Sequence, residues 1–271
     1  MLRIEAIVAA MNQIDFSLIK KLNIKCDAII ANQTDKEYVW EMKTDKNLYK
    51  IISTTTHGVG KNRNEGLKHI SGDVILFADD DLVYNDDMAE RITEAFSKLN
   101  DADVIIFGLA YSKNDEVFMT KTCRTGKLPI LKSMKYGACA LAIRRESLEK
   151  VNLRFNENFG GGCIYSHGED SDFIINCYKR GLKVYTYDYV LGVTSKDSST
   201  WFTGFNEKYF YDTGALAKNT FGVFAIPYML RFALRTKAEE KINFKKKIEL
   251  MLAGYRNYKK LISYDEWKKG R

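Results

Sequence analysis

Three consecutive carboxylates, Asp79, Asp80 and Asp81, end the apolar segment that begins at Ser71. Adjacent like charges disfavour one another's ionised form, so a strand end has little structural use for three of them. A hard divalent cation takes oxygen ligands and would remove the repulsion. Open α/β folds bind ligands at the carboxyl ends of their strands. We therefore favour a metal and diphosphate site here over the simpler interpretation, an acidic turn that caps the next helix.

A second acidic group follows a glycine-rich stretch. Gly160–Gly162 precede His167, which is followed by Glu169, Asp170 and Asp172. Acids at a helix N-terminus are favoured by the helix dipole, and this alone could explain them. A carboxylate delivered to a helix start by a glycine-rich segment also suits a general base that acts on a hydroxyl nucleophile. We favour the catalytic interpretation.

Three further segments carry weaker signals. Gly58–Gly66 suits a tight turn before a helix N-terminus, which is a natural anion site, but a plain helix start fits equally well. Asp35 could accept hydrogen bonds from a base or ribose, although the residues around it, taken alone, favour a turn. Asp197–Gly204 and Asn206–Tyr211 are rich in aromatic and hydroxyl side chains, which suit either sugar contact or packing.

Alternating strands and helices must position these groups. Apolar runs predict buried strands at Ile4–Ala10, Cys26–Ala31, Leu48–Ser53, Val74–Ala78, Asp103–Tyr111, Leu141–Arg144 and Lys183–Tyr187. Helices are expected at Phe16–Leu22, Lys61–Ile70, from Asp86 or Asp87 to about Leu99, Ser147–Val151 and Asp172–Arg180, and from Leu230 onward. The alternation predicts an α/β fold with a mostly parallel sheet and flanking helices. We expect Thr194–Gly214 to be a functional loop.

The charge of the chain is concentrated at one end. The net charge of the 271 residues is +7. Residues 227–271 alone contain 13 Lys/Arg and 5 Asp/Glu, a net of +8. We predict a catalytic domain of residues 1–226 and a basic amphipathic helical tail of residues 227–271, whose apolar stripe includes Ile248, Met251, Leu252, Tyr255 and Ile262. The tail could lie on an anionic membrane surface, bind nucleic acid, or pack on the domain as a solvated helix.

The five cysteines are scattered and none forms a CxxC pair. They are typical of reduced thiols in a cytosolic protein. No signal peptide or transmembrane helix is expected from the sequence.

Taken together, the motifs resemble those of the family-2 glycosyltransferases, inverting enzymes with one nucleotide-sugar-binding α/β domain. The similarity covers about Ile4 to Tyr187. It rests on a first strand that ends in Asn12, Asp35 after the second strand, Gly60-Lys-Asn-Arg-Asn-Glu-Gly-Leu67, the Asp-x-Asp-like Phe77-Ala-Asp-Asp-Asp81, and the acidic pair Glu169-Asp170. The resemblance implies a single GT-A-type, Rossmann-like domain with a C-terminal helical extension. The segment from Ser199 to Tyr211 resembles a subgroup from bacterial capsule and exopolysaccharide synthesis.

The resemblance implies a role for each matching residue. Asp79 and Asp81 would bind Mn²⁺ or Mg²⁺, and Asp170 would be the general base. The residues implied to contact the nucleotide sugar are Ala9, Met11, Asp35, Arg63 and Asp80. The residues implied to contact the acceptor are Glu169, His167 and Trp201.

The implied activity is inverting transfer of a sugar from a nucleotide-diphosphate donor, with a UDP-sugar favoured. The acceptor would be a hydroxyl group of a saccharide. This saccharide would be linked to a lipid and would be extended during surface polysaccharide synthesis. We expect a cytoplasmic enzyme, peripheral on the inner face of the bacterial membrane, without a nucleic-acid partner.

Two departures from the family pattern are visible. Ala9 and Ala10 stand where the first strand of the family often has Pro. Residues 190–200 lack the histidine that many members use as a further metal ligand, so Asp197 or the diphosphate would have to serve.

Three other functions stay open at this point. A sugar nucleotidyltransferase needs a Gly-rich loop with Arg and Lys after the first strand, and residues 9–13 do not offer one. A glycoside hydrolase could use two carboxylate clusters but needs no nucleotide loop. A non-catalytic nucleotide-sugar-binding partner subunit would not need both acidic pairs.

Overall fold

The computed structural model describes residues 2–114, 116–195 and 204–270. The chain forms two compact units, which we call the sheet unit and the helical unit. In described residues, the sheet unit comprises 2–57, 61–114, 116–155 and 173–195, and the helical unit comprises 58–60, 156–172 and 204–270. The predicted division at residue 226 into a catalytic domain and a tail stays a prediction.

All strands of the described residues lie in one sheet of the sheet unit. They are β1 Ile4–Met11, β2 Asp27–Gln33, β3 Tyr38–Lys43, β4 Leu48–Thr54, β5 Val74–Asp79, β6 Leu82–Tyr84, β7 Val104–Lys113, β8 Glu116–Lys121, β9 Gly126–Lys127, β10 Leu141–Arg144 and β11 Val184–Ser195. The order is β3-β4-β2-β1-β5-β10-β7-β11-β6, with β8 on β7 and β9 on β11. Strands β4, β2, β1, β5, β7 and β11 run in one direction. The expected α/β fold with a mostly parallel sheet is confirmed.

Helices flank the sheet and follow it in the chain. They are α1 Ser17–Lys21, α2 Val59–Lys68, α3 Met88–Lys98, α4 Ile130–Ser133, α5 Arg145–Lys150, α6 Glu169–Lys179, α7 Glu207–Phe221, α8 Ala225–Arg235, α9 Phe244–Asn257 and α10 Tyr264–Lys269. Short 3₁₀ turns lie at Ala138–Ala140, Gly222–Phe224 and Tyr258–Lys260. The expected C-terminal helical extension is present. No helix in the described part of the chain combines the length and the apolar character needed to cross a bilayer.

The central strands are buried on both faces, as parallel strands covered by helices must be. Along β1, Ile4, Ala6 and Val8 enter one hydrophobic core, and Ile7 enters another. Successive side chains of a strand point to opposite faces. Strand β5 alternates between the two cores in the same way. Each fully buried aliphatic side chain contributes roughly 1.5–3 kcal/mol relative to exposure. This burial fixes the register of β5 and therefore the position of the carboxylates at its end.

The helical unit has its own core, and two of its helices touch backbone to backbone. A Cβ on Gly214 of α7 would lie 1.8 Å from the carbonyl oxygen of Met251 in α9. A Cβ on Gly254 of α9 would lie 1.9 Å from the carbonyl oxygen of Tyr211 in α7. Any side chain at either position would force the helices apart, so both glycines are required for this crossing.

Two expectations differ from the structure. The segment Thr194–Gly214 is not a loop throughout, because α7 begins at Glu207 with Asn206 as its N-cap. The strand predicted to end at Tyr187 continues to Ser195. In addition, the edge strand β3 lies between the second and third predicted strands, so the carboxylate-bearing strand is the fifth of the chain.

Candidate functional site

The carboxylates of β5 lie at the carboxyl end of the sheet, beside the end of β1. Asp79 is the last residue of β5, and Asp80 and Asp81 form the turn into β6. Ala9 on the parallel strand β1 pairs in register with Asp79, and Met11 ends β1 with an exposed side chain. The structure thus brings Ala9 and Asp79 together at the edge where open α/β sheets bind ligands.

Arg63 of α2 is bound to Asp79. Its Nη2 donates to Asp79 Oδ1 at 2.7 Å, and its guanidinium carbon lies 5.1 Å from the ring centroid of Phe155. The Arg63 side chain is only 2% exposed. A guanidinium buried this deeply needs a carboxylate partner, because an uncompensated buried charge is strongly destabilising. Arg63 therefore orients Asp79, and its contact with a nucleotide base stays a prediction.

Asp81 carries negative charge that its surroundings do not fully balance. Burial, followed by the charges of Asp79 and Asp80, raises the pKa of Asp81 to about 6, while a hydrogen bond with the Thr194 side chain acts in the opposite direction. Burial and the charge of Asp79 also raise the pKa of Asp80. An added cation would relieve both effects.

The donor set at this edge suits a hard cation. Asp79 and Asp81 offer carboxylate oxygens, the ligands that Mg²⁺ and Mn²⁺ prefer. Within residues 2–114, 116–195 and 204–270, no three or more His, Cys, Asp or Glu side chains are grouped as a metal site. The residues therefore fit a cation that takes part of its coordination from a ligand or from water.

Two buried asparagines, which the sequence analysis did not single out, hold the strand ends in place. Asn62 Nδ2 donates to the carbonyl oxygens of Ala10 at 3.2 Å and Ala31 at 2.7 Å, so α2 is fastened to β1 and β2. Asn32 Nδ2 donates to the carbonyl of Gln13 at 2.9 Å, and Asn32 Oδ1 accepts from the N–H of Gln13 at 2.8 Å. A carboxamide can serve a backbone donor and a backbone acceptor at once, as Asn32 does, whereas Asn62 uses its two N–H donors for two carbonyl oxygens.

Two other predicted residues lie apart from these contacts. Asp35 is exposed in the bend after β2, where its carboxylate accepts a hydrogen bond from the Thr34 hydroxyl at 3.2 Å. Its role at the base stays a prediction. Trp201 and Asp197 lie outside the described residues.

The second acidic group begins α6, in the helical unit. Glu169, Asp170 and Asp172 all lie in the first turn of this helix. Asp172 is buried, and its Oδ1 accepts hydrogen bonds from Asn219 Nδ2 at 2.7 Å and Thr220 Oγ1 at 2.6 Å. Because Asn219 and Thr220 belong to α7, Asp172 fixes the helix start that carries Glu169 and Asp170.

Gly160 lies directly against Glu169. Its φ is +104°, and a Cβ at this position would lie 2.8 Å from Glu169 Cδ and 2.4 Å from Val59 Cγ1. The loop is also closed by backbone hydrogen bonds, from Gly160 N–H to the Tyr165 carbonyl at 2.9 Å and from Cys163 N–H to the Gly160 carbonyl at 3.1 Å. Glycine is therefore required here for both its conformation and its size.

The start of α2 has a protein partner. The N–H of Val59, the first residue of the helix, donates to the carbonyl oxygen of Gly161 at 3.0 Å. This hydrogen bond satisfies one of the donors that an anion at the helix N-terminus would use. It favours a structural interpretation of Gly58–Gly66, in which the helix start anchors the glycine-rich loop.

His167 is packed against α7. Its ring stacks on Tyr209 at 3.8 Å between centroids, and Nε2 lies 3.1 Å from Thr213 Oγ1. Burial, and secondarily the charge of Lys208, lowers the pKa of His167 to about 3. The imidazole is therefore neutral at physiological pH, and its predicted contact with the acceptor stays a prediction.

The chain resembles a known protein family in sequence and solved structures in fold. Residues 17–152 match glycosyl transferase family 2. No curated protein sequence matches the chain. Residues 1–349 of S. aureus TarS in complex with UDP-GlcNAc superpose with a TM-score of 0.64 at 14% identity, covering 100% of this chain and 93% of that one. The mannosyltransferase PcManGT from Pyrobaculum calidifontis, in complex with GDP-Man and Mn²⁺, gives 0.50 at 13% identity, covering 96% and 73%. These likenesses confirm the expected GT-A fold.

Proposed function

Because the chain belongs to glycosyl transferase family 2, we propose that it transfers a sugar from a nucleotide-diphosphate donor to a hydroxyl of a saccharide acceptor, with inversion at the anomeric carbon. The observation that carries the proposal is the group Asp79–Asp81 at the end of the buried strand β5. It stands beside the end of β1, with Asp79 held by Arg63.

On the donor side, the nucleotide lies across the ends of β1 and β2, against Ala9 and Met11, with Asp35 at the base and Asp80 toward the ribose or diphosphate. The neighbours TarS and PcManGT are complexed with UDP-GlcNAc and GDP-Man, which supports a nucleotide-sugar donor. We favour a UDP-sugar. Asp79 and Asp81 would hold Mg²⁺ or Mn²⁺, and the chemistry that such an ion would supply is neutralisation of charge on the diphosphate. The Arg63 contact keeps Asp79 in place for this role.

On the acceptor side, Asp170 acts as the general base. Its carboxylate takes the proton of the acceptor hydroxyl, and the oxygen forms a bond to the anomeric carbon. The bond from that carbon to the diphosphate oxygen breaks on the opposite face, and the nucleoside diphosphate leaves with the bonding electron pair. Glu169 orients the acceptor hydroxyl, while Asp172 holds the helix start through Asn219 and Thr220.

The acceptor belongs, in this proposal, to surface polysaccharide synthesis and is linked to a lipid. The supporting observation is the +8 net charge of residues 227–271. Such a charge would draw the enzyme to an anionic membrane. His167 and Trp201 are the residues that we assign to acceptor contact.

Replacement of the base tests the mechanism. A thermal-shift screen of UDP-GlcNAc, GDP-mannose and the corresponding diphosphates, with and without Mn²⁺, first identifies the donor. Asp170→Asn should then lower turnover by at least about a hundredfold, the usual contribution of a general base, with donor affinity changed only a few-fold. Asp45→Asn, in the exposed turn between β3 and β4, is the matched control.

Two results would count against the proposal. Near-normal turnover of Asp170→Asn would exclude Asp170 as the base. Failure of every nucleotide sugar to bind or to release its nucleoside diphosphate would exclude the transferase activity as a whole.

A further inference from the structure

The apolar stripe predicted for the C-terminal tail is already used inside the helical unit. Met251 of α9 is fully buried, and Ile248, Leu252 and Tyr255 pack partly buried against the same core, which α7 also lines. Side chains packed in a core cannot at the same time enter a bilayer. The stripe of α9 is therefore not the surface that a membrane would meet.

A different apolar surface is exposed on α8 and on the 3₁₀ turn that precedes it. We call it the α8 face, and it consists of Val223, Phe224, Ile226, Leu230 and Leu234. Val223, Phe224 and Leu234 are 88%, 70% and 75% exposed. Four of the five follow one another at intervals of three or four residues, which places them on one side of a helix. The opposite side packs into the core through Ala225, Met229 and Ala233.

The charged residues within α8 are both positive. Between Gly222 and Ala238 the charged residues are Arg231, Arg235 and Lys237, and there is no acid. The two arginines directly follow Leu230 and Leu234, so the cations border the apolar side. An apolar helix face bordered by Lys and Arg is the pattern of helices that lie in the headgroup region of anionic membranes. The occupant that complements both the apolar area and the charge is therefore an anionic bilayer.

The helix is formed before any membrane is met. Lys247 Nζ donates to the carbonyl oxygens of Ala233 at 3.2 Å and Thr236 at 2.6 Å. These bonds satisfy acceptors at the end of α8, where backbone carbonyls lack partners within the helix. The helix has 11 residues. At the rise of an α-helix this gives a length of about 16 Å, whereas about 20 apolar residues are needed to cross a bilayer core. A helix of this length lies in the membrane plane, and its docking requires no folding step.

We propose that the α8 face docks on an anionic lipid bilayer. Its apolar side chains enter the boundary between headgroups and acyl chains, and Arg231 and Arg235 meet the lipid phosphates. The docking itself needs no donor or acceptor. Its consequence, delivery of the enzyme to a lipid-linked acceptor, rests on the proposed function.

Vesicle flotation of the full chain, without donor or acceptor, tests the proposal. The vesicles contain phosphatidylcholine alone or equal parts of phosphatidylcholine and phosphatidylglycerol. In the α8 variant, Val223→Asp, Phe224→Asp and Leu234→Asp are combined. The control carries the same change at three other exposed apolar residues, Val39, Phe118 and Leu131. Partition onto the anionic vesicles should fall more than about tenfold in the α8 variant and less than about twofold in the control.

The contribution of charge is tested separately. Arg231→Gln and Arg235→Gln should each lower the partition onto anionic vesicles about fivefold, equivalent to about 1 kcal/mol per cation at the surface. Their effect should vanish on vesicles of phosphatidylcholine alone. Circular dichroism of the wild type should show no gain of helix when vesicles are added.

Equal partition of the wild type and the α8 variant would overturn the proposal. So would a wild-type dimer that the α8 variant converts to a monomer with vesicle binding unchanged, because the face would then be an interface between copies. Titration of UDP with Mn²⁺ in the same variants keeps the two proposals separate. If the α8 variant loses vesicle binding but binds UDP normally, the result supports the docking of the α8 face and leaves the proposed donor site unaffected. If no variant binds UDP, the proposed donor site is wrong, whatever the vesicle result.

Discussion

Replacing Gly160 by alanine should damage catalysis more than its cost in stability would suggest. The new Cβ would lie 2.4 Å from Val59 Cγ1 and 2.8 Å from Glu169 Cδ. Ordinary contacts begin at 3.4 Å, so these neighbours must retreat by 1.0 Å and 0.6 Å. Overpacking of this kind costs about 1–3 kcal/mol, and a positive φ adds about 1–2 kcal/mol for a residue with a side chain. We expect a loss of about 2–5 kcal/mol in the free energy of unfolding, the sum of these two costs.

The displacement bears on the carboxylate that we assign to the acceptor hydroxyl. A misplacement of about 1 Å in an active site can cost about a hundredfold in rate. For the smaller shift at Glu169 we expect turnover to fall about tenfold to a hundredfold, with donor affinity unchanged. The assay is release of nucleoside diphosphate at saturating donor, at a temperature where circular dichroism shows the variant fully folded.

Gly181→Ala is the matched control for this prediction. Gly181 follows α6 and also has a positive φ, of +78°, but a Cβ there meets no atom within 4 Å. Gly181→Ala should lower the free energy of unfolding only by the cost of a side chain at positive φ, about 1–2 kcal/mol, and should leave turnover unchanged. Equal turnover of the two variants would refute the assignment of Glu169, and equal stability would refute the packing argument at Gly160.

Three further predictions concern other parts of the chain. Asp81→Ala should abolish the Mn²⁺-dependent part of UDP affinity in calorimetry, and an unchanged metal-dependent affinity would exclude Asp81 as a ligand. Gly254→Ala places a Cβ 1.9 Å from the Tyr211 carbonyl, whereas Gly270→Ala meets its nearest atom at 3.6 Å. The first should lower the urea-unfolding free energy by about 3 kcal/mol or more and the second should be tolerated, because only the first overpacks its site. Burial lowers the folded pKa of His167 to about 3. As the pH falls, His167 is therefore protonated in the unfolded chain before it is protonated in the folded one. The free energy of unfolding should fall as pH drops from about 6.5 toward about 3. His167→Gln should flatten that slope, and an identical slope would refute the burial argument.

Much of the sheet could be predicted because its strands are buried on both faces. Ile4–Ala10 and Val74–Ala78 are nearly unbroken apolar runs, and each differs from the observed strand by one residue. The edge strand β3, Tyr38–Lys43, was missed because its exposed side chains leave no burial pattern. Its pairing with β4 depends on backbone hydrogen bonds, which residue types do not reveal.

The polar interior of the helical unit explains why the last part of the predicted loop, from Glu207, is a helix. Glu207–Gly214 is rich in aromatic and polar residues, which suggested an irregular segment. In the structure, Asp212 of α7 is fully buried because its Oδ2 accepts from the Ser166 backbone at 2.9 Å and from the Ser166 hydroxyl at 2.8 Å. Polar groups on the buried face of a helix interrupt the apolar stripe by which a helix is recognised in a sequence. Their hydrogen-bond partners are distant in the chain, so the sequence alone does not reveal them.

Residue types also do not reveal which acids of each group have partners within the protein, and the structure identifies some of these partners. In the first turn of α6, Asp172 accepts hydrogen bonds from Asn219 and Thr220, which favours a positioning role for Asp172. The assignment of Asp170 as the base stays a proposal. At the end of β5, Asp79 is held by Arg63, while burial and neighbouring charge act most strongly on Asp81. In both groups one carboxylate is held by a described partner, Asp79 by Arg63 and Asp172 by Asn219 and Thr220, and this contact helps to fix the backbone of its neighbours. An acid in such a cluster can therefore hold the backbone of its neighbours in addition to any role as a ligand.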